Sequence, residues 1–88
     1  MKMELNMYDL QAIEAMKTDT RRMAELYRLD VAKQLGHRAT AELLDEMYDN
    51  YYAEVLSETL SETFPEMGDE EIASLVQDAV AALRPPAD

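Results

Sequence analysis

Residues 40–64, TAELLDEMYDNYYAEVLSETLSETF, decide the fold because they place apolar side chains on two faces of one helix. At helical spacing, one stripe follows most of the segment and comprises Leu44, Tyr48, Tyr51, Tyr52 and Val55. A second stripe, about 120° round the helix, occurs only in the C-terminal half and comprises Ala53, Leu56, Leu60 and Phe64. In the N-terminal half, this second sector holds Glu42, Asp45, Glu46 and Asp49. The helix therefore needs one neighbour along its length and another near its end.

Glycine and proline divide the chain into three blocks, each with the periodicity of a helix. They predict three helices and a tail within one domain, 1–88, with approximate bounds 7–35, 40–64, 69–83 and 84–88. Asn6 and Asp69 are the expected N-caps of the first and third helices, and Gly36 is the expected stop of the first. The weak helix formers around Thr18 predict an irregularity within the first helix.

The other two helices each have an apolar stripe that would pack on residues 40–64. In the first helix the stripe comprises Ile13, Met16, Thr20, Met23, Ala24, Tyr27 and Val31. In the third helix it comprises Ile72, Leu75, Val76, Ala79, Val80 and Leu83. The alternation in Met3-Leu5-Met7 is too short to indicate a strand.

Helix length predicts that the third helix covers only part of the groove between the first two. At 1.5 Å per residue the long helices reach about 40 Å and the short one about 22 Å. The predicted fold is therefore all-α: a long antiparallel helical hairpin plus a short third helix, completed by a second copy as a homodimeric helical bundle. Tyr48, Tyr51, Tyr52 and Met47 are of types enriched at interfaces. Burial in the core of the hairpin explains the tyrosines equally well.

The negative charge belongs to the second half of the molecule. The formal net charge is −11, and residues 39–83 contain twelve carboxylates without one lysine or arginine. A field of one sign favours a positively charged partner and repels nucleic acid and anionic membranes. The partner class predicted here is a protein with a basic surface patch, for which a nucleic-acid-binding protein is one candidate.

Some of these carboxylates are expected to pair inside the hairpin. With a turn near His37, facing residues have numbers that sum to about 75. The expected pairs are Arg28 with Glu46 or Asp49, Arg21 with Glu54, and Lys17 with Glu58. On this basis, Glu42, Asp45, Glu46 and Asp49 are expected to meet the arginines of the first helix.

The remaining carboxylates predict a binding strip with no cation of its own. The expected contact residues are Glu54, Glu58, Glu62, Glu66, Glu70 and Glu71, with Tyr51 or Tyr52 as an aromatic anchor. A purely solvated face is the alternative interpretation of the same residues.

The sequence lacks the residues that several classes of function require. The single histidine, His37, has no metal-binding partner at the necessary spacing, and the chain has no cysteine. Phosphate-binding loops and nucleophile motifs are also missing from the sequence. We therefore expect no enzymatic activity, metal or cofactor, and no direct binding to nucleic acid or membrane. The composition also predicts a cytoplasmic protein.

These observations predict a small acidic module that docks on a basic surface of a target protein and inhibits or regulates it. By analogy of class, phage-encoded inhibitors and DNA mimics are proteins of this kind. The alternative is a self-associating structural or adaptor subunit whose acidic face serves only solubility. The two interpretations differ in the surface that makes the contacts: carboxylates in the docking module, apolar side chains in the self-associating subunit.

Overall fold

The computed structural model describes residues 4–84, which form three helices and, within that range, no strand. The helices are α1 (Met7–Leu35), α2 (Ala41–Thr63) and α3 (Asp69–Leu83), and a single 3₁₀ turn, Gly36–Arg38, links the first two. The all-α prediction with three helices is confirmed. Residues 85–88 of the expected tail, and Met3 of the short alternation, lie outside the described range.

The first helix begins at a complete capping box and continues without interruption. The side chain of Asn6 accepts a hydrogen bond from the Asp9 backbone N–H, and the Asp9 carboxylate accepts one from the Asn6 N–H. Near its middle, the hydroxyls of Thr18 and Thr20 donate to backbone carbonyls one turn earlier, at 3.1 and 2.6 Å. The helix is nevertheless continuous through both threonines, so the expected irregularity near Thr18 is absent.

The turn after α1 depends on the conformational freedom of Gly36. This residue adopts φ 59°, where a side chain would be strained, and its N–H donates to the carbonyl of Ala32. Two residues after the 3₁₀ turn, the hydroxyl of Thr40 caps α2 by accepting from the N–H of Leu43. The compact turn sets α2 antiparallel to α1.

The third helix begins at Asp69, as its predicted bounds have it, but its N-cap is the preceding residue. Gly68 is the N-cap, with extended backbone, and its carbonyl accepts the first helical bond from Ile72 at 3.0 Å. Asp69 was therefore wrongly assigned as the cap: it is the first helical residue, where its charge still favours the positive helix end. Because Arg84 reaches back to Asp45 and Asp49, α3 runs antiparallel to α2.

The core follows one line along α2 at a spacing of four residues. Its members are Tyr48, Tyr52, Leu56, Leu60 and Phe64, each at most 8% exposed. Because a step of four residues turns about 40°, this line moves from the side of α1 to the side of α3 as α2 proceeds. The two predicted stripes are thus joined into one buried ridge. Ile13 and Ala24 of α1, with Ile72 and Ala79 of α3, pack against it.

The first helix turns an apolar side to solvent as well as to the core. Ile13, Ala24 and Val31 are buried as predicted, but Met23, expected on the same stripe, is 45% exposed. Leu26 and Leu29 are more exposed still, at 68% and 62%. The fold is also more extended than a compact domain of the same number of residues: its radius of gyration is 14.6 Å, against about 12 Å for a compact domain.

Candidate functional site

Ion pairs join all three helices near the start of α2. Arg28 of α1 donates to the carboxylate of Asp45 at 2.5 Å. Arg84, the C-cap residue of α3, lies 3.4 Å from the same carboxylate and pairs with Asp49. The Arg84 guanidinium also lies 5.7 Å above the centre of the Tyr48 ring. We call this cluster, Arg28, Asp45, Asp49, Arg84 and the Tyr48 ring, the paired end of α2.

The paired end differs from the expected pairing in its partners. Arg28 was assigned to Glu46 or Asp49, but its partner is Asp45. Asp49 instead meets Arg84, a cation that the sequence interpretation placed in the tail. Glu42 and Glu46, expected to meet arginines of α1, form no ion pair among residues 4–84. A signal for Arg84 existed, because it is the only basic residue after Arg38.

Two further expected pairs are replaced by contacts within α1. Lys17 donates to Glu14, three residues away, at 3.1 Å rather than reaching Glu58. Arg21 donates to the Thr18 hydroxyl at 3.2 Å rather than reaching Glu54. Both cations therefore bond to acceptors three residues away on their own helix.

The exposed carboxylates beyond the middle of α2 form no ion pair with any residue from 4 to 84. Glu54, Glu58 and Glu62 are exposed, and none forms an ion pair within the described part of the chain. We call these three residues the open end of α2. Their spacing of four residues sets one carboxylate above another, about 6 Å apart along the axis. This arrangement is mildly repulsive and leaves each carboxylate available to a cation from outside.

The other predicted contact residues do not all belong to this surface. Glu66 lies in the turn after α2 and Glu70 in the first turn of α3, both exposed and without an ion pair between residues 4 and 84. Glu71 is half-buried and makes an interaction of its own, so it is distinct from them. Within α2, Glu54 and Glu58 lie about 160° round the helix from Leu56 and Leu60, which pack towards α3. The predicted contact residues thus lie on three successive parts of the chain: α2, the turn after it and the first turn of α3.

Of the two candidate aromatic anchors, only Tyr51 has accessible surface. Its ring stacks on Tyr27 of α1, with centroids 4.5 Å apart and planes inclined at 12°. It is half-buried and, at three residues' spacing, neighbours Glu54 on the same flank of α2. Tyr52 is 1% exposed, so its ring belongs to the core and is unavailable to a partner. The core interpretation holds for Tyr48 as well, at 8% exposure.

Burial changes the acidity of the two core tyrosines. The pKa of Tyr48 is raised above 10.0, first by burial and then by the negative charge of Glu25. Burial likewise raises the pKa of Tyr52, against a smaller lowering by Arg21. The pKa of Arg84 is raised chiefly by its hydrogen bond to Asp49. These shifts favour the forms that the groups already have at ordinary pH, a charged Arg84 and two neutral tyrosines.

Neither a metal centre nor a spanning helix is found in the part of the chain that the structure describes. Among residues 4–84, no three or more histidine, aspartate or glutamate side chains are grouped closely enough to hold a metal ion. No helix in the same range combines the length and apolar character needed to cross a bilayer.

Comparison with family models, curated proteins and solved structures finds no match to this chain.

Proposed function

We propose that this chain is a small acidic module that docks on a basic surface patch of a target protein and inhibits or regulates it. The open end, Glu54, Glu58 and Glu62, is the proposed centre of the contact. Phage-encoded inhibitors and DNA mimics act in this way, and the proposal places the chain in that functional class. It acts by binding rather than by catalysis.

The single observation that carries the proposal is the difference in pairing between carboxylates of one helix. Asp45 and Asp49 are neutralised by arginines from α1 and from the end of α3. At the open end no such cation is supplied among residues 4–84, although the carboxylates repeat there on one side. Cations on a target would relieve the repulsion among these carboxylates, and this relief favours binding.

The spacing of the open end sets the size of the footprint. Three carboxylates span about 12 Å along α2, which corresponds to two or three lysines or arginines on the target. Tyr51, half-exposed beside Glu54, supplies flat apolar surface at the edge of this footprint. Electrostatic attraction of this kind speeds association and weakens as salt is added.

The exposed apolar surface of α1 favours self-association as a second property. Met23, Leu26 and Leu29 are 45%, 68% and 62% exposed on one helix of an elongated chain. Contiguous exposed apolar side chains are typical of interaction sites. We therefore keep the homodimer in the proposal; as the sole function, self-association is the structural or adaptor alternative.

The docking proposal is tested by capture with charge-reversed variants. Immobilised wild type is compared with the triple variant Glu54→Lys, Glu58→Lys, Glu62→Lys, and captured proteins are identified by mass spectrometry. We expect wild type to retain a basic protein at about 0.05 M NaCl and release it by about 0.5 M, as screening shortens the range of attraction. The identified target is then purified and assayed with and without the chain, and its activity is expected to fall.

A matched control separates the open end from net charge. The triple variant Glu25→Lys, Glu46→Lys, Asp78→Lys changes the charge equally at exposed carboxylates elsewhere, none of them in an ion pair between residues 4 and 84. Capture is expected to survive in this control and to be lost with the open-end variant. Equal capture by both variants would contradict the proposal.

A further inference from the structure

The outer face of α1 carries an apolar centre with charges arranged symmetrically around it. At its centre is Leu26, which is 68% exposed. Met23 lies three residues before it and Leu29 three residues after it, and both are less exposed than Leu26. Arg22 and Asp30 lie four residues to either side of Leu26, and Asp19 and Lys33 lie seven. Along the helix, each charge therefore has an opposite charge at the same distance on the other side of Leu26.

All of these side chains lie on the side of α1 away from α2. Taking 100° per residue, the four charged positions fall within about 40° of Leu26, and Met23 and Leu29 within about 60°. The buried residues Ile13, Ala24 and Val31 centre about 140° away. The face is thus directed to solvent, and α1 is apolar on two sides.

The charges of this face are not used within the described chain. Arg22, Lys33 and Asp19 are exposed and form neither an ion pair nor a side-chain hydrogen bond among residues 4–84. Asp30 accepts only a hydrogen bond from Gln34, at 3.2 Å. The other charged cluster, at the paired end of α2, is by contrast satisfied internally.

We propose that this face, Asp19, Arg22, Met23, Leu26, Leu29, Asp30 and Lys33, binds the same face of a second copy of the chain with the two α1 helices antiparallel. A two-fold axis at Leu26 sets each residue at the same height as the residue equally far from Leu26 in the other copy. Leu26 then packs on Leu26 of the second copy, while Met23 and Leu29 lie at opposite edges of the contact. Asp19 meets Lys33 of the second copy across the centre line, and Arg22 attracts its Asp30 at the same height, each pair occurring twice.

The charge pattern selects the second copy and the antiparallel direction. In a parallel pairing in register, Arg22 would face Arg22 of the second copy and Asp30 would face Asp30, and both like-charge pairs are repulsive. The face itself is neutral, with two cations and two carboxylates, although the whole chain carries −11. A neutral, self-complementary face allows two acidic chains to approach where a one-signed surface would not.

The interface deepens the proposed homodimer by naming its contact surface, and it is independent of the docking on a basic target. Since α1 would lie between α2 and the second copy, the open ends of both copies remain accessible. The contact extends about 20 Å along one helix pair, which is small among specific interfaces. We therefore expect dissociation in the micromolar range.

Sedimentation and light scattering from about 5 to 500 µM test the interface with Leu26→Glu. This change sets two carboxylates against each other at the two-fold axis and is expected to raise the dissociation constant at least about 100-fold. Leu10→Glu is the matched control, because Leu10 is 51% exposed on a different face of α1. Its dimer is expected to equal that of wild type, and circular dichroism checks that both variants keep their helices.

A charge exchange tests the antiparallel register. Arg22→Glu with Lys33→Glu makes the face wholly acidic, and Asp19→Lys with Asp30→Lys makes it wholly basic. Each double variant alone is expected to be monomeric, and an equimolar mixture is expected to form a heterodimer, since every pair is then opposite in charge. Mixing that leaves two monomers would overturn the register.

The outcomes separate the interface from the homodimer. Wild type that stays monomeric at about 500 µM overturns both. A wild-type dimer that Leu26→Glu leaves unchanged overturns this interface alone, because the homodimer then forms through another surface. Neither result bears on capture by the open end.

Discussion

At the paired end of α2, carboxylates lie against arginines from α1 and from the end of α3, whereas at the open end they face solvent. The two regions belong to one helix, share one buried line and carry the same kind of charge. They differ in what the neighbouring helices bring to them. Lys17 and Arg21, the cations of α1 that register assigned to the open end, bond within α1 instead. Pairing therefore depends on competition among nearby acceptors, more than on the number of charges.

The largest expected effect comes from cutting the buried line that the two ends share. Leu56 is fully buried at the middle of this line, so Leu56→Ala is expected to cost about 2–5 kcal/mol in the free energy of unfolding. Urea denaturation followed by circular dichroism, at one protein concentration, measures this loss. Leu43→Ala, at a site 37% exposed, is the control and is expected to change the free energy by less than about 0.5 kcal/mol. Similar losses at both sites would show that the line is not the shared core.

Alkaline pH is expected to weaken the paired end selectively. The buried line consists of tyrosines near the paired end, whereas further along α2 it consists of leucines, which do not ionise. Burial raises the pKa of Tyr48 and Tyr52, so the unfolded chain loses these protons first, near pH 10. Their contribution is complete below that pH and is lost as pH rises towards the folded pKa. Between those limits the free energy of unfolding falls by up to about 1.4 kcal/mol per pH unit for each tyrosine. Urea denaturation at pH 8 and pH 10.5 measures the fall.

Removing one hydroxyl identifies the group responsible. Tyr52→Phe is expected to reduce the alkaline fall, whereas Tyr8→Phe, at a site 79% exposed, is expected to leave it unchanged. Hydrogen exchange at high pH gives the location, with faster exchange around Tyr48 than around Leu60. An alkaline fall that both variants leave intact would assign it to other groups.

The helices were predictable because local chemistry and apolar spacing agree along the chain. Asn6 with Asp9, Gly36 and the Phe64-Pro65 step are strong local signals, and the observed bounds differ from the expected ones by about one residue. The N-cap of α3 was misplaced because Asp69 and Gly68 are both acceptable caps, and only backbone geometry distinguishes them.

The candidate site was less predictable because side-chain partners depend on three-dimensional distance. A register good to one helical turn cannot choose between Asp45 and Asp49, which are one turn apart. The ion pair of Arg84 was missed because a residue at the end of a helix is assigned to the tail until the path of α3 is known. The exposure of Met23 and Leu26 was equally hidden, since α1 has apolar residues on more than one side.

The smallest expected effects bear most directly on the comparison, because they change one carboxylate at each end without altering its shape. Asp45→Asn leaves Arg28 and Arg84 with a weaker acceptor, and since these groups are about 40% exposed, the expected loss is about 0.5–1 kcal/mol. Glu58→Gln removes a charge that has a like charge one turn away on each side, so the expected change is a gain of a few tenths of a kcal/mol. Urea denaturation at about 0.05 M NaCl resolves the opposite signs, and about 1 M NaCl is expected to shrink both. Equal losses at the two positions would mean that Glu58 is also paired, and the distinction between the paired end and the open end would then fail.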